Sequence, residues 1–508
     1  MQPGDIRRLG AQALLVRLPR DAVEALRRYL IDHPLTAQRE VIAGGSSVAV
    51  TFRSAAATDA AALALRHVPV PEPISLPEQA LQIDVVYNGE DLAKVATLLD
   101  TDASTVIRRH TEQRWHVAFL GFAPGFAYLR GDLPWPSVPR RSTPRVRVPA
   151  GTVALAGEHS AVYPRPSPGG WQLIGHTTAP LWSLDRDPPA LLVPGTVVRF
   201  HAVRDRVSVP PPAPGLAPAS NRVGLRIESV GAQTLIQDLG REGYAALGIT
   251  GSGAADRDAL MQANRLVGNP AHAAGLENIG GLTLSSDVDE VLAVTGAEAV
   301  VAISNRQGYR IVQRACAFAL DAGEVLEIDP PTAGLRSVIA VRGGIAVPSV
   351  LGSRSSDVLS GLGPPPVARG EVLPVGPQPR AAVGPAESPA EPPGATAVID
   401  VIAGPDTDWF PPESLAAFTA QNWTVSPDSN RIGVRLTGDP LARRSGDLES
   451  HALVNGAIQV PPSGLPVAFL ADHPTTGGYP VIGVVVPRQL SILAQLRIGA
   501  TIRFRVSG

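Results

Sequence analysis

The sequence predicts a mainly β protein with α/β portions, in which two related β-barrel modules sit in two tandem halves of the chain. Three observations carry that expectation: a series of short β-branched segments, a motif that occurs twice, and two Pro-rich stretches that punctuate the 508 residues.

The β-branched segments cover residues 291–294, 299–303, 309–312, 316–320 and 325–328, with Gly, Asn or Asp turns between them. Such spacing belongs to sheets or barrels. Helices are fewer. Residues 256–267 place Ala259, Leu260, Ala263, Leu266 and Val267 on one face, and Gly268 stops the run. Residues 22–30, 92–99 and 104–110 are shorter helical candidates.

The repeated motif pairs Gly169-Gly170-Trp171-Gln172-Leu173-Ile174-Gly175 with Gly477-Gly478-Tyr479-Pro480-Val481-Ile482-Gly483. Downstream, Gly195-Thr196-Val197-Val198-Arg199-Phe200 matches Gly499-Ala500-Thr501-Ile502-Arg503-Phe504, at intervals of 26 and 22 residues. Val148-Pro149 and Val460-Pro461 form a third match upstream. Ordered matches of this kind predict one β-rich module closing each half. The Pro-rich stretch 209–220 reads as an extended interdomain linker, and 375–394 as a long surface loop.

Composition removes several classes of function. Gly and Pro number 50 each, hydrophobic residues make 44% and charged residues 18%, which describes a globular chain. A net charge of −2 gives no footprint for nucleic acid or an anionic membrane surface. The single cysteine, Cys316, excludes intrachain disulfides, CxxC motifs and Cys-rich zinc sites. The single lysine, Lys94, lies outside any GxxxxGK[ST] loop and outside any biotin-attachment context, so no covalent biotin is expected. The apolar stretch 13–16 is too short for a signal-peptide core and no run approaches 18 apolar residues. The expectation is a soluble cytoplasmic protein without a membrane span.

Several constellations have chemistry in them. Phe122, Phe126 and Tyr128 interleave with Gly121 and Gly125, an arrangement that lets backbone approach a ligand walled by aromatic rings. Arg140, Arg145 and Arg147 follow, as guanidinium forks suited to carboxylate or phosphate, or else to a salt-bridged strand. Glu158, His159 and His176 flank the first GG motif, and Asp472 and His473 precede the second. Neither group has a recognised metal spacing, and no metal is expected. Asp472 is the favoured catalytic carboxylate, because Thr475, Thr476, Gly477 and Gly478 follow and offer hydroxyls and backbone N–H groups to an anion; an Asx turn is the plain alternative. The segment 250–253 leads into the helix near Asp256, where Asp256 is a candidate cap.

At these residues the chain resembles known families. The motifs VYNGED, LGFAPGFAYL, TPRVRVPAGTVALAG, YPRPSPGGWQLIGHT and DRDPPALLVPGTVVRF, within 85–203, resemble the Kip-inhibitor family, the B component of 5-oxoprolinase. TLIQDLGREGYAALGITGSGAADRDALMQANRLVGNP, VTGAEA, AVRGGIAVPSVLGSRSSD, WTVSPDSNRIGVRLTG, GAIQVPPSG and LADHPTTGGYPVIG, within 223–506, resemble the Kip-antagonist family, the C component of the same enzyme. Together the two resemble the carboxyltransferase domain of urea carboxylase, in the urea amidolyase family. The resemblance implies cyclophilin-like β-barrel modules and a small α/β domain at 1–84. It divides the rest into a barrel at 85–208, the linker 209–220, a first part of the Kip-antagonist-like half at 221–374, the loop 375–394, and a second barrel at 395–508.

The activity implied by the resemblance is ATP-dependent opening of 5-oxo-L-proline to glutamate, with a separate LamB/YcsF-type protein, the A component of 5-oxoprolinase, as partner. ATP with Mg²⁺ is implied as cofactor, bound in this chain or in that partner, and a homo-oligomer is allowed. Carried onto this sequence, Arg140, Arg145 and Arg147 become anion-binding residues, with Phe122, Gly125, Gly169, Gly170 and His176 as further binding positions. Asp472, Tyr479 and His473 become the catalytic candidates. Two other readings accompany it: a carboxyltransferase accepting carboxybiotin from a partner, and a Kip-type regulator of a sensor histidine kinase. The chain departs from the families in two places. A GGFGG-like run reads Ser360-Gly361-Leu362-Gly363-Pro364-Pro365-Pro366, and Val481 stands where a basic residue often follows TGGYP.

Overall fold

Alternation of apolar and polar side chains builds the last strand of each half. In Thr501–Val506, Ile502 and Phe504 are buried while Arg503 and Arg505 face solvent. In Val197–Ala202, Val198 and Phe200 point inward and Arg199 outward. A computed structural model describes residues 5–69, 72, 78–141, 143, 145–204, 224–394, 396–446 and 448–507. The linker expected at 209–220 lies outside the described residues.

Each of these strands belongs to a seven-stranded barrel of the cyclophilin-like kind. The strand order in the first is Leu81–Val85, Gln172–His176, Thr152–Ala156, His159–Val162, Ala127–Gly131, Trp115–Leu120, Val197–Ala202. A reciprocal backbone pair between Val86 and His176, 2.9 Å in each direction, joins Leu81–Val85 to Gln172–His176 and closes the ring. The second barrel runs Thr396–Ala403, Val481–Val485, Ala457–Gln459, Val467–Phe469, Gly433–Thr437, Trp423–Val425, Thr501–Val506. The two orders correspond strand for strand, and both contain one parallel pair, Leu81–Val85 with Val197–Ala202 and Thr396–Ala403 with Thr501–Val506.

The correspondence reaches individual side chains. Trp115 pairs with Val198 and Trp423 with Ile502, equivalent positions of the repeat. Each indole donates its N–H to a carbonyl five residues upstream, His110 and Phe418, at 3.0 Å in both cases. Each indole fills its own barrel core, beside Leu129, Ile174 and Phe200 in the first and Leu436, Ile482 and Phe504 in the second. A carboxylate also recurs: Asp91 accepts the N–H of Leu173, and Asp406 that of Val481, each at 2.8 Å. The third match of the repeat does not correspond in the fold. Val148-Pro149 precedes the strand Thr152–Ala156, whereas Val460-Pro461 follows the equivalent strand Ala457–Gln459.

The two carboxylates find different cations. Asp91 pairs with Arg141 and Arg145 of its own barrel, at 3.1 and 2.9 Å. Asp406 pairs with His451 at 2.8 Å and with Arg17, which comes from the N-terminal domain, at 2.6 Å. That domain is a four-stranded antiparallel sheet, Ile6–Arg8, Ala13–Arg17, Ser47–Phe52, Gln38–Ala43, with the helices Val23–Asp32 and Ala55–Leu65. Leu9, Ala13, Leu15 and Ile42 share one core with Leu453, Phe469 and Val484 of the second barrel.

Between the barrels, residues 224–374 form a six-stranded and a five-stranded sheet around one core, with Leu284 and Ile303 from the first and Leu276 and Ile339 from the second. The helix Arg257–Leu266 packs on the five-stranded sheet through Leu260, Ala263 and Leu266. Its cap is Asp256, which accepts the N–H of Ala259 at 2.9 Å. The Pro-rich loop at 375–394 is tied down: Arg342 donates to the carbonyls of Pro379 and Ala381 at 2.8 and 2.6 Å, and Arg265 pairs with Glu387 at 2.9 Å. The helices Ala55–Leu65, Pro412–Ala420 and Leu490–Ala494 extend the sequence expectation.

Truncating the core indole tests the second barrel. Trp423→Ala should lower unfolding stability by about 3–5 kcal/mol in urea titration. Tyr309→Ala, at a position 78% exposed, should stay within about 0.5 kcal/mol. The Asp406 pair also predicts a pH dependence. Burial acts to lower the His451 pKa, but attraction and hydrogen bonding to Asp406 outweigh it and raise the value above the ordinary 6.5. The contribution of the His451 charge is therefore complete just below pH 6.5, where Asp406 remains ionised, and is lost as pH rises through the folded-state value. Urea midpoints measured upward from pH 6.5 should fall in the native chain, and the slope should flatten in His451→Gln.

Candidate functional site

The segment from Asp472 to Tyr479 leaves the strand Val467–Phe469 and leads into Val481–Val485. Strand pairing covers Thr476–Gly477 while the backbone on either side turns and bends, and the segment distributes its residues to three environments.

Asp472 goes to the interior. It is fully buried and accepts from Arg431 Nε and Nη2 at 3.0 and 3.1 Å, from Ser252 Oγ at 2.6 Å and from the Val358 N–H at 3.1 Å. Arg431 also contacts Glu277 and donates to the Gly253 carbonyl at 2.6 Å. Asp472 lines neither of the two clefts that the rest of its segment borders. Its observed place is that of a charge-balancing partner of a buried guanidinium, not of a group facing a ligand. Near it, burial followed by repulsion from Asp472 raises the pKa of Asp357.

Tyr479 and Gly478 go to a cleft of about 250 Å³ shared with the first barrel and the N-terminal domain. Opposite them stand Trp171, Tyr128, Phe119, His159 and Arg140. The aromatic position of both copies of the repeat, Trp171 and Tyr479, therefore lines one cavity. Close approach of loops makes this possible. A methyl group on Gly121 would overlap the Thr476 hydroxyl, and the Gly125 N–H donates to the Leu247 carbonyl at 3.0 Å.

The floor of the cleft is an ion-pair junction of three parts of the chain. Arg20, from the N-terminal domain, pairs with Glu158 of the first barrel at 2.6 Å and contacts Glu449 near the second. The Gly45 N–H donates to the Ser450 carbonyl at 2.7 Å. Burial, reinforced by Arg20, pushes the His159 pKa down to about 4, so its imidazole is neutral at pH 7. Burial also raises the pKa of Tyr128, whose hydroxyl faces Ser450 and Thr476 and stays protonated. Arg140 lies exposed at the mouth and has no ion-pair partner among the described residues. The cleft thus offers one cation unpaired among the described residues, the protonated Tyr128 hydroxyl and a neutral imidazole against aromatic walls. That set has the chemistry to pair with a small carboxylate and to hydrogen-bond a carbonyl oxygen.

Other expected site residues are placed elsewhere. Arg145 is committed to Asp91 and to Glu90, at 2.9 and 3.0 Å, and so holds the barrel rather than an exposed anion position. Arg147 is exposed on the strand Arg145–Val148. Phe122 packs edge-on against Phe126 and Tyr163 as part of the core behind the cleft. Gly125 supports the loop against Trp182, and Gly169 lies against the Tyr163 ring. The Gly170 carbonyl receives the Arg141 N–H at 2.8 Å. His176 bonds Asn88 at 2.9 Å at the barrel closure, five residues along from Trp171. Gly477 sits against Gln459 and pairs with His451. His473 and Thr475 face a separate, larger cleft. Arg20, Glu449 and Ser450 are residues that no sequence motif marked, because three distant segments bring them together.

Comparison with known proteins gives the following likenesses. A family model described as the carboxyltransferase domain, subdomain A and B, matches residues 247–506, and the model for subdomain C and D matches residues 5–192. The chain is 36% identical over 293 residues to the C component of 5-oxoprolinase from Escherichia coli (strain K12), covering 55% of this chain and 90% of that protein. It is 41% identical over 188 residues to the B component of 5-oxoprolinase from Escherichia coli O157:H7, covering 36% of this chain and 85% of that protein. The crystal structure of TTHA0988 superposes with a TM-score of 0.85 at 31% identity, over 99% of this chain and 100% of that one. Kluyveromyces lactis urea carboxylase superposes with a TM-score of 0.53 at 27% identity, over 57% of this chain and 28% of that one.

The interior position of Asp472 gives a stability test. Asp472→Asn removes one of the two carboxylates on Arg431 and leaves the buried cluster of Arg431 and Arg336 with Glu277 alone; it should cost about 3–5 kcal/mol, read as a shift of the urea midpoint. Arg140→Gln, at the exposed mouth, should leave that midpoint within about 0.5 kcal/mol of the native value.

Proposed function

The chain belongs to the carboxyltransferase-domain family, with the C/D and A/B subdomains of that family in one polypeptide, and from this membership we propose that it is the fused B and C component of an ATP-dependent 5-oxoprolinase. The observation that carries the reading is the cleft in which Trp171 and Tyr479 meet beside the unpaired Arg140. Its relatives carry the matching halves as the B and C components of 5-oxoprolinase.

A lactam is a poor electrophile, because amide resonance lowers the reactivity of its carbonyl carbon. In this reading Arg140 pairs with the substrate carboxylate, and Trp171 and Phe119 wall the apolar ring edge. The Tyr128 hydroxyl, held protonated by burial, donates to the lactam oxygen and favours the charge that develops there. Tyr479, 38% exposed at the entrance, supplies a second phenol. His159, neutral, takes a proton from the water that attacks the ring carbon and returns it to the ring nitrogen as the C–N bond breaks. ATP with Mg²⁺, bound in the partner, would supply a phosphoryl group to the lactam oxygen and so make the ring carbon electrophilic enough for water to attack.

The residues around this cleft do not fit a triphosphate with its metal. Lys94 is exposed on the helix Leu92–Leu98, and no cluster of three His, Cys, Asp or Glu suited to a metal occurs among the described residues. The reading therefore assigns the nucleotide to the LamB/YcsF-type partner. A urea-carboxylase-like carboxyl transfer is the second reading, supported by the likeness to the Kluyveromyces enzyme.

The deciding assay incubates the purified chain with ATP, Mg²⁺ and 5-oxoproline, with and without a LamB/YcsF-type partner, and measures glutamate. Glutamate formed with the partner supports the proposal, and its absence under both conditions overturns it. Carboxylation of urea with a biotin carboxylase and bicarbonate would replace it with the second reading. In the active complex, Arg140→Gln should raise KM for 5-oxoproline by about 10–100-fold with a smaller change in kcat.

A further inference from the structure

A second cleft, of about 440 Å³, shares no lining residue with the first and is unused by the lactam chemistry. It opens where the N-terminal sheet, the loop at 242–258 and the second barrel converge. Most charged groups around it are already occupied. Arg39 contacts Glu242, and Glu40 accepts the N–H groups of Gly243 and Ala245 at 2.9 and 3.1 Å. Asp258, exposed at the mouth, accepts the Ser491 hydroxyl at 2.9 Å.

Three groups remain available. Arg257, the first residue of the helix Arg257–Leu266, lines the cleft and has no ion pair or side-chain hydrogen bond among the described residues. Thr475 is 2% exposed, yet its hydroxyl has no hydrogen-bond partner among the described residues. A buried hydroxyl left in that state costs about 1–3 kcal/mol, a cost that a ligand atom would offset. His473, which lines the cleft, donates its Nδ1–H to the Pro474 carbonyl at 2.8 Å, which leaves Nε2 as an acceptor without a partner among the described residues. Leu453, Val484, Leu490 and Met261 complete the wall with apolar surface.

We propose that this cleft binds a small organic anion, a carboxylate or phosphate carried on an apolar body. Arg257 pairs with the oxyanion and Thr475 donates its hydroxyl hydrogen to it. The positive end of the helix dipole reinforces both. Leu453 and Leu490 receive the apolar part. The site is built by the meeting of three parts of the chain.

Calorimetric titration of the full chain with phenylphosphate, benzoate and benzamide tests the site. These probes share one ring and differ in the head group. Binding of either anion with at least a ~10-fold preference over neutral benzamide is expected, and the tighter of the two identifies the oxyanion. Arg257→Gln should weaken that anion at least ~10-fold and Thr475→Val about 3–10-fold, while Arg140→Gln in the other cleft leaves it unchanged. No binding of either anion up to about 10 mM overturns the proposal. Equal binding of benzamide, or unchanged affinity in Arg257→Gln, does the same. Should Arg257→Gln fail to fold, Arg257→Lys and Thr475→Val decide: Lys should retain much of the affinity, Val should lose it, and the reverse pattern overturns the assignment.

Discussion

The buried guanidinium of Arg431 is a central tie between the second barrel and the sheets that precede it. Arg431 is buried, bonded twice to Asp472, in contact with Glu277, and donating to the Gly253 carbonyl. Glu277 lies on the strand Gly275–Ile279, where it also meets Arg336 at 3.4 Å and accepts the Ala255 N–H at 2.8 Å. A charge this deep is tolerated only when its hydrogen bonds and counter-charges are in place. Satisfying it therefore fixes where the loop at 250–255 lies, where the helix after it begins, and how the segment that carries both clefts leaves the barrel. The ligand-facing residues inherit their positions from this hub.

Both clefts are junctions, and that is why neither belongs to one subdomain. The first needs Arg20 from the N-terminal domain, Tyr128 and Trp171 from one barrel, and Tyr479 from the other. The second needs the N-terminal sheet against the loop at 242–258. Thr475 and Thr476, adjacent in the chain, form a common partition, one lining the larger cleft with His473 and the other meeting the Tyr128 hydroxyl. Burial of their side chains leaves little room for this partition to shift.

Local pattern made much of the fold legible. The repeat, whose downstream match pairs Gly195–Phe200 with Gly499–Phe504, pointed to the closing strands Val197–Ala202 and Thr501–Val506 and to two modules whose seven strands correspond in order. The helix Ala55–Leu65 carried no such signal, because a run of alanines with one Asp has no polar face to give a 3.6-residue period. The site was harder to read for a different reason. Asp472 beside a GG turn has the look of a catalytic carboxylate until Arg431, 41 residues earlier, and Ser252, 220 residues earlier, are seen to hold it. Arg145 likewise finds Asp91 across 54 residues. Which charges are spent and which are free is decided by partners distant in sequence, so residue type and spacing alone assign them no role.

The two equivalent carboxylates, Asp91 and Asp406, have diverged in where they find their cations. The first barrel supplies Arg141 and Arg145 from within itself. The second supplies only His451 and borrows Arg17 from the opposite end of the chain. A duplicated module has thereby become asymmetric in its dependence: one copy is electrostatically self-sufficient, while the other is completed by its neighbour. Relatives that keep the two halves as separate polypeptides would need this complementation to assemble by encounter. Within one polypeptide it is an internal contact, so correct pairing of the halves is written into the charge balance of a barrel interior and not into the covalent link alone.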